Sequence, residues 1–133
     1  MVSRRCRVLV IEDNEQVSAL LDQVISLEGY AVEVVRPPLD GTADLVFVDY
    51  DVALIDLSLP QGHDSFAIAQ RAAAAGIGVI LMSGNRGMYD AAAKSPHPFL
   101  EKPFRIARLV DTIHQVLQRS GRDCQRQPAA GSA

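Results

Sequence analysis

The chain has 133 residues, 48% of them hydrophobic, which is enough apolar material for one compact core and too little length for two ordinary domains. A formal net charge of -3, with neither basic clusters nor interleaved aromatics, leaves nothing to follow a nucleic-acid backbone, so no direct nucleic-acid partner is expected. No apolar run approaches the roughly 20 residues that span a bilayer, and the amino end leads straight into a strand pattern, so a soluble, cytoplasmic protein without membrane contact is expected.

The first strand pattern is the β-branched apolar run at 8–11. A helical pattern follows, with Val17, Leu20, Leu21, Val24 and Ile25 on one face and Gly29 as its stop. A second apolar run lies at 31–35. Residues 37–50 carry two prolines and the apolar stretch 45–48, and predict a short, poorly formed second helix. Further strand patterns fall at 52–55 and 78–82, with a weaker fifth at 98–100, and a short helix is expected around 88–94. The last helix places Ile106, Leu109, Val110, Ile113, Val116 and Leu117 on one stripe.

The domain is therefore expected to span 5–119, and residues 120–133, almost without apolar content, to form a disordered tail. Cys6 and Cys124 stand at opposite ends with no metal-ligand spacing around either. They are expected to be free thiols in a reducing compartment, without a functional part. His63, His97 and His114 are expected to be solvated.

Apolar runs of this length read as strands buried on both faces, and their alternation with helices calls for an α/β domain. We expect a doubly wound five-stranded parallel sheet flanked by about five helices, with its ligand site beyond the carboxyl ends of the strands. Glu12 and Asp13 close the first strand and Asp56 the third, so the fold brings three carboxylates to one edge. Their mutual repulsion calls for a cation, and an oxygen donor set suits Mg²⁺. Ser83 closes the fourth strand and Lys102, one of two lysines in the chain, the fifth. A hydroxyl and an ammonium facing a metal-bound carboxylate make a site for a phosphoryl group, whose oxygens can meet metal, hydrogen-bond donor and point charge together. Singly, each residue has a plainer reading: acids that cap helices, a turn serine, a solvated lysine.

Over residues 5–119 the sequence resembles the receiver domains of two-component response regulators. The resemblance rests on Val-Leu-Val-Ile-Glu-Asp-Asn-Glu at the first strand, Val-Ala-Leu-Ile-Asp-Leu-Ser-Leu-Pro at the third, Ser83, and Lys102-Pro103-Phe104. It implies a CheY-like, flavodoxin-like fold and an aspartyl phosphate on Asp56. Asp13, Asp56 and the Ser58 carbonyl would hold Mg²⁺, with Glu12 acting through a metal-bound water. Ser83 and Lys102 would contact phosphate oxygens, Phe99 would be the aromatic switch position, and Pro103 would follow a cis peptide bond. Ser58 and Asn85 would set how long the phosphate survives.

The resemblance further implies a phosphoprotein that catalyses only its own phosphorylation and dephosphorylation. Its phosphoryl donor would be a sensor histidine kinase or a histidine phosphotransfer protein. As a single-domain response regulator it would signal in trans to a downstream protein, relay the phosphoryl group, or form a homodimer. Two departures stand out: the loop Pro60-Gln61-Gly62-His63-Asp64-Ser65-Phe66 is one residue longer than usual, and 83–102 is a few residues shorter, which alters the usual partner face.

Three other classes are weighed against this. Phosphatases and dehalogenases with aspartyl intermediates put the nucleophile on the first strand with a second aspartate two residues on, whereas Ser58 fills that place here. A flavodoxin-like cofactor binder needs a phosphate cradle where this chain has Glu-Asp-Asn-Glu. A pseudo-receiver, an interaction module that no longer switches by phosphorylation, shares every fold signal and separates from a true receiver only by chemistry.

Overall fold

The computed structural model describes residues 4–36, 47–59 and 64–127. Its centre is a parallel five-stranded sheet: β2 (Arg7–Ile11), β3 (Ala31–Val35), β4 (Val52–Asp56), β5 (Gly78–Ser83) and β6 (Phe99–Glu101), in the order β3-β2-β4-β5-β6. Two-residue strands β1 (Arg4–Arg5) and β7 (Cys124–Gln125) pair separately. In register, Val10 faces Leu54 and Leu54 faces Ile80, which puts the most apolar runs in the middle. All five residues of β4 are buried, so its carboxyl end delivers a side chain to one fixed place.

Four α-helices cover the sheet among the described residues. Leu21 and Ile25 of α1 (Glu15–Leu27) and Leu109, Ile113, Val116 and Leu117 of α4 (Ile106–Ser120) pack on Val8, Val10, Leu54 and Ile80. On the other face, Ile68, Ala69 and Ala72 of α2 (Ser65–Ala74) and Ala92 of α3 (Tyr89–Lys94) pack on Leu9, Ile55, Val79 and Leu81. The alternation of side chains along each strand thus fills both layers, each fully buried leucine or isoleucine contributing about 1.5–3 kcal/mol. Asn14 caps α1 by accepting the Val17 N–H at 2.9 Å, and Gly29, at φ 94°, turns the chain beyond it. At Gly78 a Cβ would run into the Val116 side chain, so glycine lets α4 rest close on the start of β5.

Several expectations change. Leu20 and Ile106 are more than half exposed. At 100° per residue Leu20 falls at the rim of the stripe centred on Leu21 and Ile25. The expected second helix lies mostly at 37–46, outside the described residues, and its end, Phe47–Asp49, is one turn of 3-10 helix. The lengthened loop, 60–63 with His63, also lies outside them.

The tail is the larger correction. Residues 128–133 lie outside the described residues, but the chain beyond α4 turns at Gly121 and lays β7 beside β1. The Cys6 N–H donates to the Gln125 carbonyl at 2.9 Å and the Gln127 N–H to that of Gly29 at 2.7 Å. The cysteines are not free thiols: Cys6 and Cys124 form a disulfide, their Cα atoms 4.8 Å apart. Composition misjudged this segment because covalent and polar links, not apolar burial, hold it.

Candidate functional site

Five strand ends and the turns that follow them meet at the carboxyl edge. Glu12 directly follows β2 and continues its ladder, its N–H donating to the Val35 carbonyl at 3.2 Å. Its side chain is fully buried, and both carboxylate oxygens accept from Lys102 Nζ, at 3.0 and 2.9 Å. Lys102 Nζ also stands 3.4 Å from Asp56 Oδ2, so one ammonium bridges two buried acids. Burial pushes the Glu12 carboxyl up, to about 7; the Lys102 hydrogen bond pulls it down and the Asp56 charge pushes it up again.

Asp56, the last residue of β4, is 4% exposed. Among the described residues its carboxylate receives the Ser58 N–H on Oδ1 at 2.9 Å and the Lys102 ammonium beside Oδ2. That leaves oxygen lone pairs unspent in a buried place. Asp13 stands exposed at the mouth of the same edge. Three acids against one lysine are short of positive charge, and the donors are all hard oxygens, so the residues fit a small divalent cation such as Mg²⁺.

Ser83 ends β5 fully buried. Its Oγ accepts the Asn85 N–H at 2.9 Å and lies 3.3 Å from Ser58 Oγ, linking two sequence-predicted residues. The Asn85 side chain is turned away: it caps the 3-10 turn at Arg86–Met88 by accepting the Gly87 N–H at 2.9 Å. The Lys102–Pro103 peptide is cis. Phe99 opens β6, partly buried, its ring edge-on to Tyr89 with centroids 5.3 Å apart. Glu12, Asp13, Asp56, Ser58, Ser83 and Lys102 therefore share one edge, while Phe99 and the Asn85 amide stand to the side.

Two residues escaped the sequence reasoning. Ser65 Oγ, buried in the first turn of α2, donates to the Asp56 carbonyl at 2.7 Å and fixes the backbone behind the acid. The Asp64-Ser65 pair, with Asp64 capping α2, was the one available signal. Tyr89 braces Phe99 and donates to Glu101 at 2.9 Å, a contact with no sequence spacing to announce it. His97 is partly buried rather than solvated, and burial lowers its pKa; His114 is exposed.

The sequence profile of the response regulator receiver domain matches residues 8–114. The chain is 28% identical over 116 residues to the swarming motility regulation protein RssB of Serratia marcescens, covering 84% of this chain and 53% of that one. It is 27% identical over 118 residues to the transcriptional regulatory protein TcrA of Mycobacterium tuberculosis, covering 85% and 46%. The chain thus spans about half the length of these relatives. In fold it is similar to a CheY-like receiver domain protein from Methanospirillum hungatei, with a TM-score of 0.72, 21% identity and coverage of 88% and 97%. A receiver domain protein from Clostridium thermocellum gives a TM-score of 0.74 at 20% identity, covering 87% and 97%.

Proposed function

The chain belongs to the response regulator receiver domain family, and from that premise we propose that Asp56 accepts a phosphoryl group from the phosphohistidine of a sensor histidine kinase or phosphotransfer protein. The observation that carries this is the state of Asp56: buried, with unspent lone pairs among the described residues, and 3.4 Å from an ammonium. A carboxylate saturated by donors would be a poor nucleophile; this one has orbitals to offer.

In the transfer an Asp56 oxygen bonds to phosphorus as the bond from phosphorus to the imidazole nitrogen breaks, and the histidine departs as the leaving group. Lys102 offsets charge on the transferring group and Ser83 Oγ offers it a hydrogen bond. Asp13, Asp56 and the Ser58 carbonyl would hold Mg²⁺, with Glu12 reaching it through water; once bound, the ion would supply positive charge to the phosphoryl oxygens. Ser58, exposed beside Asp56, tunes access of water to the acyl phosphate, and Asn85 acts through its N–H on Ser83.

The phosphoryl group would draw Ser83 inward and loosen its bonds to Asn85 and Ser58, biasing the segment that holds Tyr89 and Phe99 between two states. The output is a protein partner of that surface or onward phosphotransfer, in the cytoplasm; no helix among the described residues is long and apolar enough to cross a membrane. The test is incubation with phosphoramidate. We expect a Mg²⁺-dependent gain of one phosphoryl mass, and changed hydrogen exchange over residues 84–104. No gain at any Mg²⁺ concentration would make the chain a pseudo-receiver.

A further inference from the structure

At the opposite end of the sheet, the Cys6–Cys124 disulfide borders a cleft of about 300 Å³ whose other lining includes Tyr30, His114, Arg122 and Arg126. Cys6 is 3% exposed, whereas Cys124 is half-buried, so Cys124 is the more open side of the pair. The Tyr30 hydroxyl, on a residue 2% exposed, has no hydrogen-bond partner among the described residues, an unusual state for a buried donor. Arg122 is held by Asp51, the Gly76 carbonyl and the Tyr50 carbonyl, and Arg126 leans on half-buried Glu28 at 3.3 Å. The mouth therefore offers basic groups and one waiting hydroxyl beside the bond; the guanidinium groups favour the thiolates that exchange requires, while the Asp51 carboxylate, within 4.8 Å of both sulfurs, opposes them.

We propose that Cys6–Cys124 is a reversible redox site, opened by a small carboxylate-bearing thiol that docks in this cleft. The thiolate of the incoming molecule bonds to Cys124 Sγ, the bond to Cys6 Sγ breaks, and Cys6 leaves as a thiolate that takes a proton. A second thiol then attacks the mixed disulfide on Cys124 and departs as the external disulfide. Two external thiols are thereby oxidised by two electrons in total, and the protein gains two protons and two electrons. The carboxylates of the ligand face His114 and Arg126, and the Tyr30 hydroxyl donates to it. Opening frees residues 121–127 from their covalent tie to Cys6, at the end of the sheet remote from Asp56.

The test uses the full chain purified without reductant. Peptide mapping should find residues 6 and 124 in one linked fragment. Reduced glutathione should open the link roughly tenfold faster than 2-mercaptoethanol at matched thiolate concentration, the worth of one charge-assisted contact. The pair of substitutions His114→Gln and Arg126→Gln, which keeps both cysteines and the fold, should cut that preference to about twofold or less, and Tyr30→Phe should weaken it. Hydrogen exchange over 121–127 should rise on opening. Free thiols that stay unlinked in oxidised glutathione, stoichiometric Zn²⁺ binding by those thiols in place of a link, or equal rates for the two reductants would each overturn the proposal.

Discussion

Two aspartates stand at the two ends of β4, five residues apart, and their surroundings differ in one respect that separates structure from chemistry. Asp51, just before the strand, is fully buried and takes four N–H donors: Arg4 at 2.7 and 2.6 Å, the Arg7 backbone at 2.8 Å and Arg122 Nε at 3.1 Å. Burial would raise its carboxyl, yet those hydrogen bonds outweigh burial and hold it below its usual range. Asp56, equally sequestered, has one backbone N–H and a shared ammonium among the described residues. Saturation makes the first acid a clasp; deficit leaves the second open to an electrophile.

The sharpest way to break this comparison is to change each aspartate to asparagine. Asp56→Asn should lower phosphoramidate labelling by about a thousandfold or more, to the limit of detection by mass spectrometry, because a neutral amide is no nucleophile. Labelling at the ordinary rate would sink the assignment. Asp51→Asn should still be labelled but lose about 2 kcal/mol in urea unfolding, since a neutral amide in a buried place accepts fewer of the four donors, while the half-exposed Arg4 guanidinium can turn to water.

The pH dependence of Asp51 has a definite sign. Its folded pKa is depressed, so its stabilisation is fully present above the unfolded value of about 4 and is lost as pH falls through the folded value. The stability gap between the wild type and Asp51→Asn should accordingly narrow only at acid pH. A gap that narrows instead between pH 6 and 8 would show that another group dominates.

Smaller effects sharpen the contrast. Mg²⁺ at ten times its dissociation constant should add about 1.4 kcal/mol, or roughly 4 °C in melting temperature, to the wild type. Asp13→Ala should lose most of that gain while Asp51→Asn keeps it; equal gains in wild type and Asp13→Ala would count against the metal site. Ser65→Ala, which removes the bond to the Asp56 carbonyl, should cost about 1 kcal/mol by urea unfolding. A neutral result would mean that water replaces the hydroxyl.

The carboxyl edge was legible in the sequence because its chemistry lies one step beyond each apolar run: Glu12 after 8–11, Asp56 after 52–55, Ser83 after 78–82. A parallel sheet converts that linear position into spatial convergence. The amino edge had no such code. Arg4, Asp51 and Arg122 are separated by 47 and 71 residues, and the disulfide joins positions 118 apart, so no local period or spacing points to either. Phe99 was found as a position, but its partner Tyr89 depends on how the short α3 packs, which only three-dimensional contact reveals.

Strand β4 is thus a beam clamped at both ends: Asp51 anchors one by four hydrogen bonds, Ser65 grips the main chain at the other, and β2 and β5 hold its register on either side. Such a beam cannot slide along its own axis. A displacement that begins at its carboxyl tip has lateral routes instead, one of them across β5 to the edge strand β6, which at three residues is the shortest of the five-stranded sheet.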